Sequence, residues 1–187
     1  MNRFKFSSER LYNSNQSVLS MTEYNKSFIH ASELFQTLLP LLKEGNLASF
    51  TVTGMSMWPF ICHGRDQVVV TACDPASLCV GDIVLLQTPL GNYLLHRVTA
   101  LRPGAFETTG DGNCFRDGWF PRECVKARVE TVIRNGRAHD CRSFGWRIIS
   151  ALWRGLFPVR GVLLRLLRCV GHGKARLRKW LRRSVHN

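Results

Sequence analysis

The sequence predicts a mainly β fold: a β core with helical segments at both ends. Between residues 48 and 134, short runs rich in β-branched, aromatic and leucine residues alternate with turn-forming Gly, Pro, Asn and Asp. Several short strands punctuated in this way are typical of a coiled β-barrel or a sandwich. The chain has 187 residues, of which 45% are hydrophobic, so we expect one domain with appendages.

Six strands are expected in this core. They cover Ser49–Thr53, Gln67–Ala72, Asp82–Gln87, Tyr93–Leu101, Phe106–Thr109 and Glu123–Arg134. Turn-forming pairs such as Asp74-Pro75 and Pro103-Gly104 separate them, and such pairs interrupt regular structure.

The segment before the core divides into two parts. Residues 1–26 are polar and rich in Ser and Asn, and we expect a flexible N-terminus without an apolar secretion signal. Residues 27–45 carry apolar side chains at helical spacing and predict an amphipathic helix that Pro40 kinks or shortens and Gly45 ends. This helix either packs on the core or forms an anchor or lid beside a site.

Residues 142–187 form a basic tail after the core, which we assign to residues 46–141. The tail has twelve Arg or Lys and no Asp or Glu, so it supplies +12 of the net charge of +13. Its apolar runs are interrupted by arginines, and no stretch of about eighteen apolar residues remains that could span a membrane. Instead, basic residues recur along one helical stripe, at Arg165, Arg168, His172, Arg176, Lys179 and Arg183.

A basic amphipathic helix that carries Trp and Leu is typical of a membrane-surface element. We therefore expect residues 145–187 to bind an anionic membrane surface, with Trp146, Trp153, Leu163 and Leu167 in the lipid. On this reading the tail is separable, and its deletion leaves catalysis unchanged. Two alternatives remain: the tail packs on the β core through its apolar side, or it binds nucleic acid, which we disfavour although clustered arginines also suit phosphates.

Four polar side chains are candidates for catalysis. Ser56 lies in Gly54-Met55-Ser56-Met57-Trp58-Pro59, His96 in Leu95-His96-Arg97-Val98, and two acids in and after Gly110-Asp111-Gly112-Asn113, namely Asp111 and Asp117. A serine hydroxyl becomes a nucleophile when a histidine accepts its proton and a carboxylate orients that histidine. Asp111 also suits a turn, so we favour Asp117 as the third member of the triad and a structural role for Asp111.

The local sequences around these residues resemble the type I signal peptidases and, more widely, the LexA-like self-cleaving repressors. Ser56-Met57-Trp58-Pro59 resembles the nucleophile box, and Val80-Gly81-Asp82-Ile83-Val84 resembles the strand that follows it. His96-Arg97-Val98 is similar to the endoplasmic-reticulum, archaeal and sporulation-type branch, which has a histidine base where bacterial-type enzymes have lysine. Gly110-Asp111-Gly112-Asn113, followed by Asp117, resembles the last box of that branch, whose second aspartate is usually assigned to the triad. The similarity covers roughly residues 48–135.

The resemblance implies a signal peptidase/LexA-like coiled β-barrel and a serine endopeptidase that cleaves a signal or leader peptide after a small residue. The substrate, a peptide or preprotein, would bind as an added strand, with no metal or organic cofactor. Gly54 departs from the family pattern. A hydroxyl-bearing residue two positions before the nucleophile can assist the oxyanion hole, and Gly54 has no hydroxyl. The family's usual spanning helix is also absent, so we expect a peripheral membrane protein on the cytoplasmic side.

Two other functions remain open at this level. A peptide-binding module could keep the fold without the chemistry, and Gly54 and the missing anchor favour it. A LexA-like protein could bind nucleic acid through its basic tail, but those relatives use a lysine base. The seven scattered cysteines, with no Cys-x-x-Cys pair, argue against a zinc ribbon or a disulfide framework.

Overall fold

The computed structural model describes residues 3–5 and 28–170. Within these ranges the strands are β1 (Arg3–Lys5), β2 (Phe28–His30), β3 (Ala48–Thr51), β4 (Asp66–Thr71), β5 (Ile83–Gln87), β6 (Tyr93–Arg102), β7 (Ala105–Thr109), β8 (Gly118–Pro121), β9 (Val125–Arg134) and β10 (Arg137–Asp140). The helices are α1 (Ala31–Lys43), α2 (Phe144–Gly155) and α3, which covers residues 160–170. Short 3-10 turns lie at Pro75–Ser77, Arg122–Cys124 and Phe157–Val159.

All ten strands belong to one antiparallel sheet, in the order β2-β1-β3-β4-β9-β5-β6-β7-β8, with β10 beside β9. The long strand β9 connects the two halves, because it pairs with β4 on one side and with β5 on the other. The prediction of a mainly β fold is confirmed. The strands at the two ends, β2 and β8, do not pair with each other among the described residues, so the sheet is not closed.

Strand burial follows the sequence pattern. In β4 the buried and half-buried residues alternate, as expected of a strand with one covered face. In β5, by contrast, Ile83, Val84, Leu85 and Leu86 are all buried, because the sheet is covered on both faces at this point. The two faces of β5 accordingly belong to two apolar clusters, one around Phe35 and Phe50 and one around Phe106.

Helix α1 packs on the core. Phe35, Leu38 and Leu42 lie in the first cluster at helical spacing, and the Phe35 ring is 4.7 Å from that of Tyr93, centroid to centroid. The helix continues through Pro40 to Lys43, so Pro40 does not shorten it. It stops at Gly45, as expected, where a φ of +84° and a hydrogen bond from Gly45 N–H to the Leu42 carbonyl end the helix.

The two ends of the chain differ from expectation. Residues 3–5, assigned to a flexible N-terminus, form β1 between β2 and β3; the remainder of residues 1–27 lies outside the described residues. The first part of the predicted tail is helical, as α2 and α3, but it packs on the β core. Trp153, Ser150, Arg160 and Leu164 are all buried. His172, Arg176, Lys179 and Arg183 lie outside the described residues.

Candidate functional site

Ser56 lies in a turn that follows β3. The turn is closed by a hydrogen bond from Trp58 N–H to the Met55 carbonyl, and the Ser56 carbonyl accepts a 2.7 Å bond from Gly112 N–H. The side chain is partly exposed. Among the described residues, the Ser56 N–H has no hydrogen-bond partner, so it is free to act as a donor to a ligand.

His96 and Asp117 are in direct contact. His96 Nδ1 and Asp117 Oδ2 are 2.6 Å apart, and the two side chains are only 6% and 8% exposed. An ionised carboxylate can only accept hydrogen bonds, so this contact assigns the proton to Nδ1 and leaves Nε2 as the basic nitrogen. The arrangement is the one in which a carboxylate fixes the tautomer of a histidine base.

Three adjacent strands position this pair. His96 is on β6, and Asp117 directly precedes β8, which reaches β6 through β7. Thr108 on β7 lies between them: its hydroxyl donates to Asp117 Oδ2 at 2.8 Å, and its carbonyl accepts from Asp117 N–H at 2.9 Å. Thr108 is fully buried, so the carboxylate has one rigid neighbour besides the histidine.

Ser56 and His96 line one small cavity of about 120 Å³, together with Val52–Met57 and Tyr93–Leu95. The hydrogen bonds of the described residues join His96 to Asp117 and not to Ser56. Contacts between nucleophile and base are often looser in the absence of substrate. The geometry therefore brings three of the four candidate residues to one place, with the base already oriented.

The fourth candidate, Asp111, forms a different ion pair, with Arg97. Both of its oxygens accept from the Arg97 guanidinium, at 2.8 and 2.7 Å, and both side chains are 1% exposed. Arg97 also donates to the Gly81 carbonyl and to Ser150 Oγ. All these bonds hold Asp111 in the scaffold, which agrees with the structural role that the sequence favours for it.

The glycines around Asp111 allow two loops to pack closely. A Cβ added to Gly110 would lie 2.5 Å from the Ser56 carbonyl oxygen. One added to Gly112 would lie 2.6 Å from the Met55 and 2.8 Å from the Trp58 carbonyl oxygens. The sequence motif indicates a turn; its further role is to let the loop before Asp117 press against the turn that carries Ser56.

Gly112→Ala is expected to disturb this contact. The new methyl group meets backbone atoms that cannot rotate away, so we expect a loss of about 1–3 kcal/mol of stability. If the protein cleaves peptides as its motifs predict, the displaced Ser56 turn should also lower that activity by roughly 100-fold. Thermal unfolding and a cleavage assay test both effects. Gly145→Ala is the matched control, because a Cβ there meets no atom within 4 Å; an equal loss in both variants would contradict the packing argument.

Asp66 anchors the other end of the Ser56 loop. Its fully buried carboxylate accepts from Cys62 N–H at 2.8 Å and from the guanidinium groups of Arg65 and Arg134. Burial by itself would raise the pKa of Asp66, but the hydrogen bonds from Arg65, Arg134 and Cys62 outweigh it, and the pKa is lowered. The carboxylate is therefore held in its ionised form in the folded protein.

This lowered pKa makes stability depend on pH. Because the folded pKa is below the unfolded value of about 3.9, the contribution of Asp66 is fully present above about pH 4 and is lost as the pH falls through the folded value. Asp66→Asn should cost about 1.5–3 kcal/mol at pH 7. Urea unfolding at several pH values tests this: the gap between wild type and variant should narrow in acid, and a constant gap would contradict it.

Helices α2 and α3 hold both loops of the site. The Phe60 ring, from the Ser56 loop, lies 5.8 Å from that of Trp146 and 5.9 Å from that of Trp153, centroid to centroid. Trp153 Nε1–H donates to the Asp111 carbonyl at 3.0 Å, and Arg160 Nη1 donates to the Gly110 carbonyl at 3.4 Å. Residues 142–170 are therefore not a separable tail, and the expectation that Trp146 and Trp153 insert into lipid is wrong.

Several residues of this site escape sequence reasoning. Thr108 is one of many strand threonines, and no signal singles it out. The contacts of Ser150, Trp153 and Arg160 with the site depend on the placement of α2 and α3 against loops about 40 to 50 residues earlier. Helical periodicity predicts that such a helix has two faces, but it does not say which loops the inner face meets.

No protein-family model matches the sequence, and no curated protein matches it either. Within residues 3–5 and 28–170, no helix is long and apolar enough to cross a membrane. No group of three or more His, Cys, Asp or Glu side chains in these ranges could hold a metal ion. The seven cysteines are free thiols.

Proposed function

We propose that the protein is a serine endopeptidase that uses Ser56, His96 and Asp117. The observation that carries the proposal is the 2.6 Å contact between His96 and Asp117 beside the cavity that Ser56 shares with His96. The four signal peptidase-like motifs support it, because the residues that come together are those the motifs single out. The coiled barrel of that family remains part of this proposal.

In the proposed reaction, Ser56 Oγ attacks the carbonyl carbon of the scissile peptide bond while His96 Nε2 takes its proton. The proton then passes to the leaving amine, and an acyl-enzyme ester remains. Water, deprotonated by the same nitrogen, hydrolyses the ester. Asp117 stabilises the imidazolium at both stages, and the free Ser56 N–H donates to the oxyanion. No cofactor is needed for these steps.

The proposed substrate is a signal or leader peptide, or a preprotein, bound in extended form. Residues 94–96 of β6 pair with β5 on one side, and among the described strands none pairs with them on the other. An extended chain added at this edge would gain main-chain hydrogen bonds next to the Ser56 turn. The adjoining cavity of about 120 Å³ has room for about four water molecules, which suits a small side chain before the cleaved bond.

We also propose peripheral association with an anionic membrane surface, on the cytoplasmic side. Helices α2 and α3 and the turn between them expose several large apolar side chains: Phe144, Ile148, Ile149, Leu152, Leu156, Val159, Val162, Leu166, Leu167 and Val170. Arg147, Arg165 and Arg168 are also exposed on these helices, and residues 142–187 contain no acid. Exposed apolar area flanked by cations favours a negatively charged lipid surface.

Cleavage of a peptide library, read by mass spectrometry, tests the catalytic proposal. We expect cuts after small residues with the wild-type protein and none with Ser56→Ala. A library left intact by wild-type protein, but bound by it and by Ser56→Ala alike, would favour the peptide-binding module instead. No contact described above favours nucleic-acid binding, and we do not propose it.

A further inference from the structure

A second and larger cavity lies between α2 and the β5–β9 region of the sheet. It has a volume of about 790 Å³, and its lining includes Arg128, Arg142, Arg147 and Arg154 but only one acid, Asp82. Arg128 is paired with Asp82 and Glu130, and Arg142 is paired with Glu130. Arg147 and Arg154 form no ion pair with any described residue, so the lining keeps an excess of positive charge.

Two buried hydrogen-bond donors in this lining have no partner. They are Arg154 Nε and Trp146 Nε1, both inaccessible to solvent and unpaired among the described residues. Arg122 Nε and Arg160 Nε are buried and unpaired elsewhere, so the buried atoms alone do not define a site. The whole Arg154 guanidinium, however, makes no hydrogen bond to any described residue. Because donors in proteins are usually paired, its terminal nitrogens are available to a ligand in the cavity that accepts hydrogen bonds. Burial, and repulsion by the nearby Arg97, lower the pKa of Arg154; a bound anion would offset both effects.

The lining of the cavity also includes exposed apolar side chains. Phe144 and Ile148 line it and are 81% and 42% exposed, and they begin the exposed apolar face of α2. An occupant that suits both parts has an anionic head for the arginines and a hydrocarbon portion for the helix surface. Arginine is the side chain best matched to a phosphate, because its planar fork donates two parallel hydrogen bonds.

We propose that this cavity binds the phosphate of an anionic phospholipid, held by Arg154 with Arg147, while the acyl chains lie against Phe144 and Ile148. The inference deepens the proposed membrane association and rests on it, but it does not depend on the chemistry of Ser56. The proposal adds one specific headgroup site, in the cavity between α2 and the sheet, to the general attraction between basic helices and anionic lipid.

The test measures binding of the full chain to vesicles of phosphatidylcholine with and without phosphatidylglycerol. Arg154→Lys keeps the charge but loses the planar fork, and we expect its affinity for the phosphatidylglycerol vesicles to fall about tenfold. Arg154→Gln should fall at least as far. The matched controls are Arg165→Lys, which should be unchanged, and Arg165→Gln, which should lose at most about fivefold as one surface charge.

Thermal unfolding shows that each variant is folded, and removal of the unpaired Arg154 cation should not lower stability. If Arg154→Lys binds as wild type does, the headgroup site is wrong while membrane association stands. If wild type ignores both kinds of vesicle, the site and the membrane association both fail, and peptide cleavage is unaffected. A soluble arm compares dihexanoyl phosphatidylglycerol with glycerol 3-phosphate by tryptophan fluorescence; the lipid should bind more tightly, and equal affinities would overturn a lipid as the occupant.

Discussion

Ser56→Ala and His96→Ala are each expected to lower peptide cleavage by at least about 10⁴-fold while leaving the protein folded. The first removes the oxygen that forms the acyl-enzyme. The second removes the base whose Nδ1 is held by Asp117 at 2.6 Å. Because the two residues act as one unit, the double variant should be scarcely slower than either single variant.

The chain offers a matched control for each substitution. Ser143 and His139 are exposed and lie outside the cavity shared by Ser56 and His96, so Ser143→Ala and His139→Ala should cleave at the wild-type rate. Initial rates on the best library peptide, with circular dichroism to verify folding, provide the measurement. Wild-type cleavage by folded Ser56→Ala protein would end the serine-peptidase proposal.

The second large expected effect is a difference between the alanine variants of Asp111 and Asp117: the first should lose stability and the second should lose activity. Asp111→Ala leaves the Arg97 guanidinium buried without its counter-ion, and breaking such a pair costs about 3–5 kcal/mol. We therefore expect Asp111→Ala to be unfolded or close to it. Asp117→Ala should remain folded, because its carboxylate has no cation partner in the described residues except the histidine, and should lose activity by roughly 10⁴-fold.

The double variant Arg97→Met/Asp111→Leu is the control. It removes both charges of the buried pair, so it separates the cost of an unpaired guanidinium from the loss of the ion pair itself. This double variant leaves no uncompensated ion and should be more stable than Asp111→Ala. Denaturant unfolding and cleavage rates are compared for all three variants. If Asp111→Ala melts at the wild-type temperature yet fails to cleave, Asp111 belongs to the reaction and its assignment to the scaffold is wrong.

The strands that sequence predicts are those with an apolar pattern. All six expected strands appear, with ends displaced by at most two residues. The four that were missed are short: β1 and β2 have three residues each, and β8 and β10 have four. Every residue of β10 is exposed, so it lacks the alternation of buried and exposed side chains by which a strand is recognised; only its pairing with β9 defines it.

In the candidate site, too, the sequence predicts the residues but not the contacts between them. Local motifs single out Ser56, His96 and Asp117, but the contact between His96 and Asp117 requires three strands to lie in register, which no local pattern contains. The sequence offers packing of α2 on the core only as one of two alternatives, for a related reason. In the sequence alone, the arginines and tryptophans of α2 are typical of a lipid-facing helix. The contact of Trp153 with Asp111 and that of Ser150 with Arg97 exist only after folding.

Helix α2 links two equilibria that would otherwise be independent. Its inner face covers the Arg97–Asp111 pair and the Phe60 ring, whereas its outer face carries the side chains proposed to meet lipid. A ligand that binds only the docked helix opposes its detachment, by about 2.7 kcal/mol at a hundred times its dissociation constant. Contact with a membrane would then also tighten the scaffold around Ser56. The protein would be most resistant to local opening, and the residues proposed for catalysis best ordered, when it is bound to a membrane.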